Sequence, residues 1–231
     1  PATVSRAGIL FLNEKDIGWR CQTDSWVARR TDESERIKLS AFFDKYIDKT
    51  IEIQRANKLV HIVPRTNAAM VSSTCNLLDG LLPPPTPESL DKLEHLFVFC
   101  VMWAFGGGLT DDKPSSRKAF SEAWRIEFPA VKFPKQGEIF DHYFDAEGSK
   151  TFAPWTGVVP EYVPMGDGDF ASVMVPTADS VRLSFLTDML VKMNNPVMFV
   201  GGAGTGKTTL ARTYMKEMDP DKMLSWTINM N

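Results

Sequence analysis

Apolar positions recur along this chain with more than one period, and each change of period marks a change of element. The first signal is an unbroken apolar run, Ala7 to Leu12, which reads as a buried strand. Gly18 and Trp19 break it, and a helical region follows. From Asp32 to about Asn57, Leu39, Phe43, Tyr46, Thr50 and Ile53 fall at helical spacing, with Ile47 and Ile51 widening the face. Asp44, Lys45, Asp48, Lys49 and Glu52 lie between them as a solvated face, so Asp44 and Asp48 read as surface charges and not as an acid–base pair. Leu59 to Val63 is a short apolar connection ending at Pro64, and His61 within it reads as structural. Asn67 is placed to cap a helix through Leu78, with Gly80 near its end.

Thr86-Pro87 sets a capping hydroxyl before a proline at a first helical position. The helix so begun is apolar all round in its second half and stops at Gly106, Gly107 and Gly108, which predicts the most buried helix of the region. A further helix is expected from Pro114 to Glu127, with Phe120 and Trp124 stacked at i, i+4. The period then shortens to two. Glu138 to Phe144, a turn through Asp145 to Gly148, and Lys150 to Ala153 read as a β-hairpin. Gly and Pro punctuate residues 154–169, which read as a linker and as the best domain boundary. After Phe170 to Thr177 come a helix from Ala178 to Met193, a short buried strand from Val197 to Val200, a glycine-rich loop, a helix to about Met218, and a second buried strand from Met223 to Met230. Strand, loop, helix and strand in that order open a parallel α/β nucleotide-hydrolase core.

The loop carries the chemistry. Gly201, Gly206, Lys207 and Thr208 match the Walker A pattern GxxxxGK[ST] in full. Small residues at Gly201, Gly202, Ala203, Gly204 and Gly206 let backbone N–H groups converge on phosphate oxygens without Cβ clashes. The helix starting near Lys207 adds the positive end of its dipole. Lys207 is placed to reach the β- and γ-phosphates, and the Thr208 hydroxyl to ligate Mg²⁺. Thr205 and Thr209 complete the set of loop residues expected around ATP or ADP.

Composition narrows the partners. A net charge of −3 gives no electrostatic case for nucleic acid or an anionic membrane. Cys21, Cys75 and Cys100 are odd in number and widely spaced, suggesting neither a zinc site nor a disulfide framework and fitting a reducing compartment. The first residues lack the basic and apolar regions of a signal peptide, and Leu96 to Leu109, the longest apolar run, is too short to span a bilayer. The chain starts without Met and stops in mid-pattern, so it reads as a piece of a longer one.

An ordered set of motifs resembles dynein heavy chains. It comprises Pro1-Ala-Thr-Val-Ser-Arg-Ala-Gly8, Gly18-Trp19, Ser25-Trp26, Leu77-Leu-Asp79, Gly137-Glu-Ile-Phe-Asp141, Pro154-Trp155, Val175-Pro-Thr177, the Walker loop and Thr227-Ile-Asn-Met-Asn231. The likeness covers essentially the whole chain, is greater to axonemal than to cytoplasmic forms, and favours outer-arm types. It implies an α/β fold of the P-loop NTPase, AAA+ type, in which a small helical lid precedes the start of a parallel α/β core. Residues 1–18 would then be the last strand of the second module's large subdomain, and 19–150 its lid with a terminal hairpin. Residues 151–231 would be the linker and first part of the third module. Ala7 stands where the family often has Cys, and Gly202-Ala203 where it commonly has Pro-Thr; neither touches Gly206, Lys207 or Thr208.

The same resemblance implies an ATP-driven, minus-end-directed microtubule motor of cilia and flagella. Its cofactors would be ATP or ADP with Mg²⁺. Microtubules would be bound by other parts of the parent chain, and the remaining partners would be intermediate chains, light chains and other heavy chains, with no nucleic acid and no membrane. Arg6 would be an arginine finger for the neighbouring module, and the Walker loop a regulatory site. The acidic strand and sensors that decide hydrolysis would lie past Asn231, so the fragment alone is expected to be inactive. Two other readings stay open: another tandem AAA+ ring ATPase, such as a ribosome-maturation remodeller, and a non-hydrolysing interaction module.

Overall fold

The computed structural model describes residues 14–162, 174–221 and 224–228, without the side chains of Glu14 and Lys15. The expected strand Ala7 to Leu12 and Arg6 lie outside the described residues, as does the first half of the stretch from Phe170 to Thr177. The chain divides into two compact units, one of residues 1–132 with 138–140, the other of 133–137 with 141–231.

The first unit is helical: α1 (Glu14–Ile17), α2 (Arg20–Ala28), α3 (Glu33–Ala56), α4 (Asn67–Leu81), α5 (Pro87–Gly106) and α6 (Ser116–Glu127). Each long helix starts where a side chain can satisfy first-turn N–H groups. Asp32 accepts from the Glu35 N–H at 2.7 Å. Thr86 and Ser89 exchange side-chain and backbone bonds in a capping box, with Pro87 at the first position. Ser115 caps α6. The cap of α4 is Thr66, not Asn67: its hydroxyl accepts from the Ala69 N–H at 3.1 Å. That helix also runs through Gly80 to Leu81, because Leu77 and Leu78 remain buried and packing outweighs the cost of one helical glycine.

Helix α5 is the core, with every residue from Leu96 to Gly106 buried. Helices α3 and α4 pack against it. Phe43 meets Phe97 edge-on at 4.9 Å, and Trp124 of α6 stacks on Tyr46 at 6.0 Å and meets Phe128 at 4.5 Å. Phe120 and Trp124 are both buried as their spacing predicts. The last carbonyls of α5 are met from other elements, Ala104 by Arg65 at 2.9 Å and Phe105 by Gln54 at 2.7 Å. His61 has the structural place expected of it. It forms a bridge with Leu109, flanked by the bonds Ile62 N–H to Gly108 and Thr110 N–H to Val60, both 2.9 Å.

Asp44 and Asp48 are not an acid–base pair. Asp48 accepts from the Trp19 indole at 2.8 Å and Asp44 pairs with Arg20, so together they fasten the start of α2 to α3. At the other end of α2, the Trp26 indole donates to Asp79 at 3.0 Å, and Arg30 forks onto the buried carboxylate of Glu35 at 3.0 and 3.2 Å. All three cysteines are free; burial pushes the Cys75 thiol up to about 12 and Cys100 well above its usual range, which keeps both unreactive.

The expected strand from Glu138 is corrected in its first half. Ile139–Asp141 form a 3₁₀ turn, since Ile139 and Phe140 are both fully buried and consecutive residues of a strand face opposite ways. Phe140 fills the space that a Cβ on Gly106 would occupy, at 2.3 Å from the ring.

The second unit begins with the hairpin, β1 (His142–Phe144) and β2 (Phe152–Pro154), antiparallel with Tyr143 opposite Ala153. The Asp145 carboxylate accepts from Ser149 and Gly148 N–H at 2.7 and 3.0 Å, which closes the turn. A 3₁₀ turn, Trp155–Val158, buries Trp155 against Tyr143 at 4.9 Å and Phe185 at 5.5 Å. Phe185 lies on α7 (Ala178–Lys192), capped by Thr177 and Ser180 in a second capping box. Helix α8 (Lys207–Glu217) packs against α7.

Neither expected core strand is a buried strand among the described residues. Val197 to Val200 carries no ladder and leaves Met198 72% exposed; residues 224–228 leave Leu224 87% and Trp226 82% exposed. An apolar parallel strand is buried only when neighbours pair with it on both edges, and no described strand pairs with either.

Acid should destabilise the helical unit in two steps. Burial lowers the pKa of His61, helped by Arg65, and lowers that of His95 against the pull of Glu94. A folded state that excludes these protons loses stability as pH falls through the unfolded value of about 6.5. Burial opposes ionisation of Glu94, but its bonds from Lys45 and Tyr46 outweigh that and hold its pKa below the ordinary value of 4.5. Its contribution is lost only further down, as pH falls through that lowered folded value. A series of thermal melts from pH 8 to 3.5 should show both limbs, and His95→Gln should flatten the first.

Candidate nucleotide-binding site

Residues 195–200 lead in without helix or strand, residues 201–206 form an exposed loop, and α8 begins at Lys207. Gly204 and Gly206 have φ of +77° and +79°, a region that L side chains rarely adopt, so glycine is required at both. Gly206 is the residue before α8 and supplies no side-chain cap. Helices α3 to α7 all start on a hydroxyl or carboxylate that bonds the first turn. In α8 the N–H groups of the first turn instead face the loop, with Lys207 and Thr208 on that turn, Thr208 exposed and Thr209 half-buried.

Three bonds hold the loop in shape. The Thr205 hydroxyl donates to the Gly202 carbonyl at 2.9 Å, and the Lys207 ammonium donates to the same carbonyl and to Thr205 Oγ1, the latter at 3.1 Å. A Cβ added at Gly204 or Gly206 would meet nothing within 4 Å, and one at Gly202 only Thr205 Cγ2 at 4.0 Å. The space beside these three glycines is therefore open. The loop and first turn carry backbone N–H groups, an ammonium and hydroxyls, with no carboxylate among residues 201–209, which is the donor set a polyphosphate needs. Thr208, exposed on the first turn of α8, carries a hydroxyl oxygen of the hard kind that Mg²⁺ takes alongside phosphate oxygens and waters. Gly201, Gly202, Ala203, Gly204, Thr205, Gly206, Lys207, Thr208 and Thr209 lie together in the loop and the first turn of α8.

Other residues of this unit were not visible in the loop pattern. Tyr214 of α8 donates to Asp188 of α7 at 3.3 Å, and Lys192 holds the other oxygen of Asp188 at 2.6 Å. Arg182 bonds Asp141 at 3.1 Å and Asp179 at 2.5 Å. Of these, the sequence signals only the pairs within α7, Asp179–Arg182 and Asp188–Lys192, by their i, i+3 and i, i+4 spacing. A cavity of about 540 Å³ lies beside Arg182, lined also by Gln136, Asp141, His142, Thr156 and Thr177, and no residue of the loop lines it.

A glycine loop closing on a left-handed residue, followed by a lysine that opens a helix and preceded in the chain by a helical unit, defines a P-loop module following a lid. Residues 39–157 match the model of the dynein heavy chain AAA lid domain, and residues 162–231 that of the P-loop containing dynein motor region. The chain belongs to the dynein heavy chain family. It is 38% identical over 237 residues to dynein axonemal heavy chain 9 of Homo sapiens and 39% over 240 residues to the dynein beta chain of the flagellar outer arm of Chlamydomonas reinhardtii, both across 100% of this chain. It is also 40% identical over 229 residues, 97% of this chain, to the ciliary dynein beta chain of Heliocidaris crassispina. The chain spans about 5% of the length of each of these relatives.

Proposed function

We propose that residues 201–209 bind ATP or ADP with Mg²⁺ in the third AAA+ module of a ciliary or flagellar dynein heavy chain, an ATP-driven, minus-end-directed microtubule motor. The observation that supports this most is the start of α8: a left-handed Gly206 without a capping side chain, followed at once by Lys207 and Thr208. In this reading Gly202, Ala203, Gly204 and Gly206 present N–H groups to phosphate, Lys207 exchanges its loop bonds for β- and γ-phosphate oxygens, and Thr208 ligates Mg²⁺. The nucleotide, when bound, supplies the phosphoanhydride bond; the residues named here bind and orient it.

Residues 19–150 are the lid of the module before, and 151–231 open the next; the lid match, residues 39–157, overlaps most of the first range and reaches seven residues into the second. Arg6, in the last strand of the second module, serves the neighbouring first module as an arginine finger. Its replacement by lysine in the full-length motor should slow hydrolysis there, and an unchanged rate would refute the assignment. The loop itself regulates the motor. Microtubules are engaged by other parts of the parent chain, and the intermediate chains, light chains and other heavy chains of the axoneme are its partners.

The metal role has its own test. ATP affinity at this loop of the full-length chain should fall when EDTA removes Mg²⁺. Thr208→Ala should weaken the Mg²⁺-supported affinity by about tenfold and shrink the EDTA effect, because a ligand bond of about 1.5 kcal/mol is gone in both conditions. Equal EDTA sensitivity in the two proteins would refute the assignment of Thr208.

A further inference from the structure

The Walker helix is held by surprisingly little apolar contact. Leu210 is the one buried residue of α8 among those described, whereas α7 buries Leu186, Thr187 and Met189. An eleven-residue helix has no stability of its own to set its orientation. With one buried side chain as its anchor, packing alone sets its rotation about its own axis only weakly.

The second anchor is polar. Tyr214 lies four residues beyond Leu210, on the same face, and reaches Asp188 of α7 at 3.3 Å. Asp188 is itself fixed, its other oxygen held by Lys192 one turn along α7 at 2.6 Å. The positions Lys207, Leu210 and Tyr214 are spaced i, i+3, i+7, so at about 100° per residue Tyr214 stands within roughly 20° of Lys207 around the axis. A turn of α8 that takes Tyr214 away from Asp188 swings Lys207 by the same angle, at the end of a longer side chain. Burial and the neighbouring Asp188 raise the pKa of Tyr214, so the phenol remains a donor at neutral pH.

We propose that the Tyr214–Asp188 bond is the rotational stop of the Walker helix, and that the two are positioning residues for the lysine and threonine of the P-loop. The proposal rests on nucleotide binding at residues 201–209. Neither residue touches the ligand. Both act by holding α8 at the angle from which Lys207 and Thr208 reach the same phosphate and metal.

The test is a titration of the full-length heavy chain with ATP–Mg²⁺, read as hydrogen-exchange protection of the peptide spanning residues 201–210, alongside a thermal melt. Tyr214→Phe and Asp188→Ala should each weaken local affinity by about two- to fivefold, the range for a long, partly exposed bond to a carboxylate. The double variant should be no worse than either single one, and the melting temperature should stay unchanged. Asp188→Asn keeps an acceptor oxygen for the phenol and should restore near wild-type affinity. Additive losses, an asparagine no better than alanine, or full affinity in Tyr214→Phe would each overturn the rotational stop while leaving nucleotide binding intact. No protection in the wild-type chain would overturn the nucleotide reading itself, and this inference with it.

Discussion

Replacing Trp124 by alanine should cost the helical unit about 3–5 kcal/mol, the range for removing a fully buried aromatic and leaving a cavity. Trp124 is 0% exposed, and its ring is enclosed by Tyr46 at 6.0 Å and Phe128 at 4.5 Å, with the indole N–H directed at Thr50 Oγ1 at a long 3.4 Å. A single domain has only about 5–15 kcal/mol to lose, so the variant should shift its urea midpoint severely or fail to fold. Trp124→Phe separates packing from hydrogen bonding. Thr50 still donates to the Tyr46 carbonyl at 2.7 Å, so its hydroxyl is not orphaned and the phenylalanine should retain most of the stability. Midpoints followed by far-UV circular dichroism would show this; equal losses in the two variants would mean that the indole bond, and not the ring, secures α6.

Replacing Lys207 by alanine should weaken nucleotide affinity at the loop by about 10- to 100-fold, the equivalent of one or two charge-assisted hydrogen bonds to phosphate. The figure is net of what the free protein gives up. The ammonium already donates to Gly202 and Thr205, and those bonds are surrendered when phosphate is engaged. Because they sit on an exposed loop where water replaces them at little cost, the phosphate bonds dominate the balance. Lys207→Arg keeps the charge but substitutes a planar fork for a compact donor in a loop shaped around the latter, so it should fall well short of wild-type affinity.

The parts legible in the sequence are those fixed by local rules. The start of α3 near Asp32, the capping pair at Thr86-Pro87 and the all-apolar second half of α5 each lie within a few residues of what they control. The P-loop is legible for the same reason, since four fixed positions within eight residues determine its backbone. The reading failed where a distant element decided the outcome. Ile139 and Phe140 read as part of an alternating strand, yet the first donates its backbone N–H to Ser121 and the second fills the space above Gly106. The Trp19–Asp48 and Trp26–Asp79 bonds join residues 29 and 53 apart, a distance at which no spacing rule operates. The stretches around Val197 and Trp226 carry the composition of buried strands, and composition does not supply the partner strands that bury them.

The central claim is that residues 201–209 hold a magnesium nucleotide within a dynein heavy chain. Hydrogen exchange on the full-length chain, with and without ATP–Mg²⁺, tests it most directly because it reads this loop separately from any other nucleotide site. At a nucleotide concentration that just saturates the wild type, the peptide covering residues 201–210 should be protected in the wild type, as the first-turn N–H groups of α8 acquire acceptors, and much less protected in Lys207→Ala. An unprotected wild-type peptide, or equal protection in the alanine variant at that concentration, would contradict the account.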